Sequence, residues 1–410
     1  MKILALNAYY DPEIAASLYL STNLYEDLAQ SGHNVEVYTP TPTRGIDKET
    51  RKLYKNKKKD IECDGNLIIY RFSMYGEGKN TFKRAVRYFL INLISLWKGV
   101  SCEADLIFAY STPPTQGAVA ALIKLIKNKP FVYSLQDVFP DSLVNAGMTK
   151  EGSLVWKIGR LIEKFIYKNA DKIVVISEDL KNNLIRKGVP QEKIEIIYNW
   201  VDENAVVPIN RSDNVLFDKY ELDKSKFYVS YCGNLGYSQN LDMLLDVANE
   251  LKDYEDIHFL LVGDGAYKSE LETLIKKKKV SNITLLPFQP YYLISHVFGI
   301  GDVGLIISKA NIGQNSVPSK TWSIMSAEKP IIASFDIDSE LSQIIRMAKC
   351  GICVPADDPM TLKNAIINMF IQRDHLQETG KNGRKYILGN LTRAIGTSKY
   401  IELINRTARK

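Results

Sequence analysis

A chain of 410 residues with 45% hydrophobic and 24% charged side chains has the composition of a globular protein and is long enough for two domains. Its formal net charge of +6 is too small to indicate a nucleic-acid-binding protein, and it contains no RNA-binding signature or zinc-finger spacing. Its five scattered cysteines indicate a reduced, cytoplasmic protein.

Neither the N-terminal segment nor the cysteines indicate a different class of protein. The chain runs directly into the apolar segment Lys2–Leu6, without the charged region, apolar stretch and cleavage site of a signal peptide, in that order. Cys350 and Cys353 have the spacing of a redox or metal pair, but no second pair or flanking histidine accompanies them. We therefore predict that they are buried strand thiols.

The first half of the chain alternates predicted strands and helices. A helix after the first strand ends near Ser31, and Ser177 followed by Glu178 predicts the N-cap of a later helix. The basic segment Arg51–Lys59 is predicted to be a solvated loop. The predicted strands are Met1–Leu6, Val35–Tyr38, Asp105–Tyr110, Phe131–Leu135, Ile173–Ile176 and Ile194–Ile197. This alternation predicts a doubly wound parallel sheet.

The polar stretch Glu203–Lys226 marks a predicted domain boundary, and the second half then repeats the pattern. Its predicted strands are Tyr228–Tyr231, His258–Val262, Ile283–Leu286, Val303–Ile307, Ile331–Ala333 and Gly351–Val354. We predict an α/β protein of two Rossmann-like, doubly wound parallel-sheet domains facing a cleft, with residues 1–205 in the first domain and residues 206–385 in the second. Ligands of open parallel sheets bind at the carboxyl ends of the strands, so we expect the site at this cleft.

An amphipathic helix is predicted over Thr81–Val100. Its apolar run is too short to span a bilayer, which needs roughly 20 residues. Such a helix can lie in a membrane interface with its cations on headgroups, or it can pack on the sheet, and the pattern fits both. The candidates for membrane or acceptor contact are Lys83, Arg84, Arg87, Phe89 and Trp97.

The segment Tyr231–Leu245 predicts a strand, a glycine turn and a helix. Gly233 and Gly236 allow a ligand to approach the backbone closely, and the start of the following helix favours negative charge. A diphosphate fits such a turn, although the same spacing also occurs in ordinary tight turns.

A second candidate lies in the polar stretch from Ser308 to Lys320. Lys320 follows Pro318 and Ser319 at a predicted helix start, where the helix dipole disfavours a cation. This position indicates a nearby anionic ligand, and the alternative is a solvent-facing lysine.

These segments carry a resemblance over essentially the whole chain. The turn STPPTQG, the segment LQDVFPDSL, the turn GNLGYSQNLD, and the motifs LVGDG and VPSK occur in the order of the GT-B glycosyltransferases of family 4. More narrowly, the chain is similar to the branch that includes bacterial N-acetyl-L-fucosamine transferases of O-antigen and capsule synthesis. The resemblance implies a nucleotide-sugar donor on the second domain, an acceptor on the first, retention of configuration and no metal or cofactor. It also implies that residues 386–410 form a helix that packs on the first domain, and it favours UDP over GDP.

The sequence departs from the family at several functional positions. Asn234 and Asn240 stand where many members have an Arg and a Lys that hold the donor diphosphate. Asn315 and Ser323 stand where the family has a pair of glutamates, and Asp137 stands where it has a cleft histidine. The site therefore has to be rebuilt from the residues that are present.

We expect charge stabilisation of the leaving diphosphate by Lys320, by backbone N–H groups of Asn234–Gly236 and by the helix start at Leu241. Asp264 is a candidate for a ribose or sugar hydroxyl, or is a simple turn residue, and the loop Leu286–Gln289 is a candidate for the base. The predicted donor-binding residues are Gly233, Asn234, Leu235, Gly236, Gln239, Asn240, Gly263, Asp264, Phe288, Gln289, Ser319 and Lys320.

On the acceptor side a carboxylate is expected to orient or deprotonate a sugar hydroxyl. Asp137, at a strand end, is preferred to Glu13, and the leaving phosphate can itself take the proton in enzymes of this fold. If the helix over Thr81–Val100 lies on a membrane, the acceptor is a polyprenyl-diphosphate-linked saccharide at the inner face of the cytoplasmic membrane. The alternatives are a two-domain nucleotide-sugar epimerase and an inactive membrane-assembly partner.

Overall fold

The structure of the protein is a computed structural model that describes residues 1–13, 18–76, 81–145, 147–313 and 317–409. The chain forms two compact units. The first comprises residues 1–143, 149–199 and 394–410, and the second comprises residues 144–148 and 200–393. The first unit thus ends a few residues before the predicted boundary at residue 205.

The first unit is built on an eight-stranded sheet. Its strands are β1 (Lys2–Leu6), β2 (Asn34–Pro40), β3 (Lys59–Glu62), β4 (Leu67–Phe72), β5 (Leu106–Tyr110), β6 (Phe131–Leu135), β7 (Lys172–Val175) and β8 (Ile194–Ile196). Its helices up to the domain boundary are α1 (Leu18–Gln30), α2 (Lys48–Tyr54), α3 (Thr81–Ser101), α4 (Thr115–Lys127), α5 (Asp141–Asn145), α6 (Leu154–Asn169) and α7 (Glu178–Arg186). The strand order is β3-β4-β2-β1-β5-β6-β7-β8, and β3 is antiparallel to β4 while the other neighbours are parallel.

The central strands are apolar throughout because helices cover both faces of a doubly wound sheet. Every residue of β5 (LIFAY) and of β6 (FVYSL) is buried. The predicted N-cap is confirmed, since Ser177 Oγ accepts from the Leu180 amide at 3.1 Å at the start of α7.

Two strands at one edge of this sheet, β3 and β4, were not predicted. Arg51–Lys59 was predicted to be a solvated loop, but its first residues end α2 and its last residue begins β3. β3 is an edge strand with exposed charged side chains, as edge strands commonly have, so its sequence lacks the apolar alternation of a half-buried strand.

The second unit is built on a six-stranded sheet. Its strands are β9 (Phe227–Asn234), β10 (Ile257–Asp264), β11 (Ile283–Leu286), β12 (Val303–Ile307), β13 (Ile331–Phe335) and β14 (Gly351–Pro355). Its helices are α8 (Val215–Lys219), α9 (Leu241–Glu250), α10 (Lys268–Lys278), α11 (Ile294–Phe298), α12 (Lys320–Ser326), α13 (Glu340–Met347), α14 (Pro359–Ile371) and α15 (Leu376–Asn390). The strand order is β11-β10-β9-β12-β13-β14, with all neighbours parallel.

The end of the chain is divided between the units. α15 packs on α12, and Arg384 Nη1 donates to the Ser326 carbonyl at 2.5 Å, so residues 386–393 stay with the second unit. The last helix, α16 (Arg393–Ala408), packs in the first unit, where the hydroxyls of Tyr400 and Ser134 lie 2.8 Å apart. The packing element is therefore shorter than the predicted segment 386–410.

None of the five cysteines, all within the described residues, forms a disulfide, and Cys350 is buried while Cys353 on β14 is partly buried. No helix in the described part of the chain is long and apolar enough to cross a membrane.

Candidate active site

The carboxyl ends of β9 and β10 form a glycine-lined edge in the second unit. The parallel register pairs Gly233 with Gly263, and both have positive φ, at 139° and 159°. A Cβ atom on Gly263 would lie 1.9 Å from the Gly233 carbonyl oxygen. Only glycine fits there, so these two residues allow the strand ends to approach each other closely.

The backbone N–H groups of the glycine turn are already used within the protein. The Leu235 amide donates to the Asp264 carbonyl at 2.8 Å, and the Gly236 amide donates to Gln239 Oε1 at 3.1 Å. Leu235 itself is a fully buried core residue. The N–H groups of Leu235 and Gly236 are therefore not available to the predicted diphosphate cradle in this conformation, and they hold the turn in shape instead.

The start of α9 behind the turn remains open. Asn240 precedes α9 in a left-handed conformation, and its side chain makes no capping bond to the helix. The first N–H groups of a helix have no intrahelical partner and carry the positive end of the helix dipole. This end of α9 can therefore receive an anionic group.

Lys320 lies against the same edge. Its Nζ is 3.3 Å from the position that a Cβ on Gly233 would occupy and 3.7 Å from the centre of the Tyr231 ring. Within the described residues it has no ion-pair or hydrogen-bond partner. Although water reaches part of this side chain, loss of solvent around the ammonium group lowers the pKa of Lys320 to about 7. Gly233, Gly263 and Lys320 thus come together as predicted, whereas Ser319 makes no side-chain cap on α12.

Two carboxylates that sequence reasoning missed fasten the loop beside Lys320. Asp357 accepts from Asn240 Nδ2 at 2.5 Å and from the Ala310 amide at 3.1 Å. Asp336 accepts from the amides of Asn311 and Gly313, both at 2.8 Å. Asp336 directly follows β13 and Asp357 lies two residues after β14, and this position at a strand end was the available signal.

The remaining predicted donor residues divide into two groups. Asp264 and Phe288 are exposed, and Asp264 Oδ1 accepts from the Gly265 amide at 2.9 Å. Gln289 is buried, with Oε1 accepting from Lys219 Nζ at 3.0 Å and Nε2 donating to the Tyr220 hydroxyl at 2.7 Å. The Gln289 side chain is therefore occupied by contacts with α8 and its flanking residue and is not free to meet a ligand. Ser323 lies within α12, and Asn315 lies outside the described residues.

In the first unit Asp137 follows the carboxyl end of β6. Although its side chain is accessible to water, partial desolvation by the surrounding protein raises the pKa of its carboxyl group to about 6. The preceding residue, Gln136, makes three hydrogen bonds. Its backbone N–H donates to Ser111 Oγ at 2.9 Å, and its side-chain Nε2 donates to Ser134 Oγ at 3.2 Å. Its side-chain Oε1 accepts from Asn199 Nδ2 at 2.7 Å. This network fixes the backbone next to Asp137.

Glu13 has a different environment. It is buried and accepts from the Thr43 and Arg44 amides at 2.7 and 3.0 Å. Burial raises the pKa of the Glu13 carboxyl group, and these backbone bonds oppose the rise. The contacts indicate that Glu13 joins the loops after β1 and β2 rather than offering a free carboxylate.

The predicted membrane and acceptor residues lie on opposite faces of α3. Four of them are exposed, with Phe89 66% and Trp97 63% exposed: Lys83, Arg84, Phe89 and Trp97. Arg87 is fully buried, and it donates from Nε to the Tyr75 carbonyl at 3.0 Å and from Nη2 to Thr43 Oγ1 at 3.2 Å. The prediction that Arg87 contacts headgroups is wrong for this conformation, because the residue faces the protein interior.

Among the described residues, no group of three or more His, Cys, Asp or Glu side chains is placed to hold a metal ion.

Comparison with known proteins decides the class. Residues 20–205 match the family model described as Glycosyltransferase Family 4, and residues 212–386 match the model described as Glycosyl transferases group 1. The chain is a glycosyltransferase with the GT-B fold. This confirms the predicted fold class and the prediction of a transferase.

Relatives of the glycosyltransferase span most of its length. It is 27% identical over 300 residues to the probable glycosyltransferase WbjE of Pseudomonas aeruginosa, covering 73% of this chain and 74% of the relative. It is 24% identical over 390 residues to the putative colanic acid biosynthesis glycosyl transferase WcaI of Escherichia coli strain K12, covering 92% and 93%. Its fold resembles that of Anabaena HepE in complex with UDP and glucose, with a TM-score of 0.74, 16% identity and coverage of 99% and 100%.

Proposed function

We propose that the glycosyltransferase transfers a sugar from a UDP-sugar to a polyprenyl-diphosphate-linked saccharide in the synthesis of a bacterial surface polysaccharide. The reaction retains the anomeric configuration and uses no metal ion. The observation that carries the proposal is the unpaired ammonium group of Lys320 beside Gly233 at the carboxyl ends of the strands of the second unit.

Breaking the glycosidic bond of the donor places growing negative charge on its diphosphate. A protein stabilises such charge best with groups that are in place before the reaction begins. Lys320 and the open start of α9 lie at the same end of the sheet, since residues 235–240 connect β9, which contains Gly233, to Leu241 at the start of α9. They can supply the charge that a metal ion provides in other transferases.

The relatives support the donor and the biological setting. HepE was solved with UDP and glucose, which makes UDP the first nucleotide to test here. WcaI is named as a putative glycosyl transferase of colanic acid biosynthesis. The motifs LQDVFPDSL and GNLGYSQNLD, which resemble those of N-acetyl-L-fucosamine transferases, favour an N-acetylated deoxyhexosamine as the transferred sugar.

Asp137 is the proposed acceptor carboxylate. A carboxyl group with a pKa near 6 is largely ionised at neutral pH, so it can accept a hydrogen bond from the attacking hydroxyl and orient it. The leaving phosphate is an alternative proton acceptor, and in that case Asp137 orients the acceptor without removing its proton.

A lipid-linked acceptor requires the protein to reach a membrane. The exposed aromatic residues of α3, Phe89 and Trp97, with Lys83 and Arg84 near its start, have the character of an interfacial helix. We therefore propose peripheral attachment to the inner face of the cytoplasmic membrane.

The test is calorimetric titration of the purified chain with UDP, GDP and ADP, together with the Lys320→Ala variant. We expect UDP to bind preferentially and the alanine change to weaken its binding about tenfold or more, roughly 1.4 kcal/mol. Lys276→Ala, which removes an exposed lysine of α10, is the matched control and should leave the affinity unchanged. Absence of binding to every nucleotide would instead favour the inactive membrane-assembly partner.

A further inference from the structure

Three helices of the first unit, α3, α4 and α6, leave large apolar side chains exposed to solvent. We call this set the three-helix surface. Its exposed apolar side chains are Phe82, Val86, Phe89, Leu93 and Trp97 on α3, Leu122, Leu125 and Ile126 on α4, and Leu154, Val155, Ile158 and Leu161 on α6. The five positions on α3 recur every three or four residues, so they form one stripe along the helix.

The three helices are direct neighbours, with α4 in the middle. A Cβ on Gly99 of α3 would lie 2.3 Å from Ile123 Cδ1 of α4, and a Cβ on Gly117 of α4 would lie 3.1 Å from Ile166 Cδ1 of α6. Gln116 Nε2 of α4 also donates to Asn92 Oδ1 of α3 at 2.9 Å. Their exposed apolar side chains therefore belong to one region, which is wider than the single helix that the sequence indicated.

The charges on these helices have almost entirely one sign. Their acidic residue is Glu163, which is buried and accepts from Lys187 Nζ at 2.8 Å. Their basic residues are Lys83, Arg84, Arg87, Lys98, Lys124, Lys127, Lys157, Arg160, Lys164 and Lys168. Among these cations, Arg160 is ion-paired with Glu163, and Lys124 with Asp171 Oδ2 at 2.6 Å. The exposed cations are Lys83, Arg84, Lys157, Lys164 and Lys168, and the described side chains of the three helices include no exposed acid.

This charge pattern selects between two possible partners. A second copy of the chain docked through the same face would bring two sets of cations together, because an isologous interface pairs each patch with itself. An anionic lipid surface instead complements the cations with headgroups and the apolar side chains with acyl chains. We propose that the three-helix surface binds an anionic bilayer as one unit, with α4 and α6 contributing alongside α3.

Arg87 connects the proposed lipid-binding helix α3 to the loop after β2. Its side chain leaves the buried face of α3 and bonds to Thr43 and Tyr75, and Thr43 lies in the loop after β2. The helix that rests on the lipid is thereby joined to the carboxyl edge of the first sheet, where an acceptor is expected. The inference rests on the proposed lipid-linked acceptor, and it adds the width of the surface and a requirement for anionic lipid.

The experiment is vesicle flotation of the full chain at physiological ionic strength. The vesicles contain phosphatidylcholine alone or phosphatidylcholine mixed with phosphatidylglycerol. The test variant is Leu154→Ser/Leu161→Ser on α6, which leaves α3 intact. The matched control is Met360→Ser/Ile371→Ser, two similarly exposed apolar residues of α14 in the second unit. Transfer to a soluble acceptor analogue is measured in parallel.

We expect the wild type and the α14 variant to float only with the phosphatidylglycerol vesicles, and the α6 variant to lose about tenfold or more of its vesicle affinity. Its activity on the soluble analogue should be unchanged, which separates loss of lipid binding from failure of the proposed transfer reaction. Full vesicle binding by the α6 variant, equal binding to both vesicle types, or a soluble dimer that the α6 changes dissociate would each overturn the proposal.

Discussion

The ammonium group of Lys320 lies 3.7 Å from the centre of the Tyr231 ring, on the face of an aromatic residue that is itself buried. The negative face of the ring attracts the cation, but no carboxylate of the described chain is paired with it. Desolvation outweighs that attraction and lowers the pKa of Lys320 to about 7. The site thus contains a cation that an anionic ligand would stabilise.

UDP binding should therefore take up a proton. A diphosphate favours the charged form of Lys320, so its pKa in the complex is higher than about 7, and UDP affinity falls as pH rises from 7.5 to 9.5. The decrease approaches about tenfold per pH unit while the free ammonium group titrates and the bound one does not. Titrations in buffers of different ionisation enthalpy measure the uptake directly.

Lys320→Arg is the control for this linkage, because arginine stays charged over the whole range. Its UDP affinity should be nearly independent of pH, and so should the weaker affinity of Lys320→Ala. A wild-type affinity that stays constant between pH 7.5 and 9.5 would show that Lys320 does not bind the diphosphate.

We predict that Gly263→Ala is much less stable than Gly389→Ala, although both add one methyl group. Gly263→Ala places a Cβ 1.9 Å from the Gly233 carbonyl oxygen at a φ of 159°, and strain at such a position costs about 1–3 kcal/mol or more. Gly389→Ala in α15 has no atom within 4 Å of the added Cβ and should be neutral or stabilising by about 0.5–1 kcal/mol. Urea denaturation compares the free energies of unfolding, and equal values for the two variants would contradict the close strand approach.

We predict that replacing Asp357 weakens donor binding although Asp357 is not proposed to contact the donor. Asp357→Ala removes the acceptor of both Asn240 Nδ2 and the Ala310 amide, which frees the turn before α9 from the loop after β12. We expect weaker UDP binding by about three- to tenfold, since a hydrogen bond to a charged group contributes about 1.5–3 kcal/mol and part of this is recovered from water.

Asp253→Ala is a suitable control, because it removes an exposed acid after α9 that is remote in sequence from this contact. Calorimetry on both variants, with melting temperatures measured alongside, separates a loosened turn from general loss of stability. Unchanged UDP affinity in Asp357→Ala would mean that the turn keeps its shape without this carboxylate.

The sequence was sufficient for most of the strands. The twelve predicted strands all lie in the two sheets, because buried parallel strands are continuous apolar runs. It also placed Gly233, Gly263 and Lys320 at strand ends and turns where the structure brings them together, while their roles in binding stay predictions. It was not sufficient for β3, whose edge position permits a polar sequence, and the alternating strand β4 was also missed.

Side-chain partners were the harder part of the site. Nothing in the local sequence distinguishes Glu13 from Asp137. Glu13 is buried and accepts hydrogen bonds from backbone N–H groups, whereas Asp137 is accessible to water. In the same way, Gln289 and Arg87 stand where a ligand contact was expected, but each bonds to residues that are distant in sequence. Such contacts depend on tertiary packing, which residue spacing does not encode.

We predict that Asp137→Asn lowers activity but raises thermal stability at neutral pH. If its ionised form orients or deprotonates the acceptor, kcat/KM of the wild type rises with pH through about 6, and Asp137→Asn loses this acidic limb together with about 100-fold or more in rate. The folded pKa is raised above the unfolded value, so ionisation of this group destabilises the folded protein as pH rises from about 4 through about 6. Asp137→Asn should therefore melt at a higher temperature than the wild type at pH 7, and this difference should vanish below about pH 4.

Activity and melting temperature of Asp137→Asn, measured together, distinguish an acceptor-side role from misfolding. A variant that is merely misfolded would lose activity and stability together, and it would also bind UDP less tightly, so unchanged UDP affinity is the control. An acceptor-side role requires low kcat/KM, intact UDP binding and a raised melting temperature in the same protein. An asparagine variant that keeps the acidic limb of the wild-type profile would assign the limb to another group and remove Asp137 from the proposed chemistry.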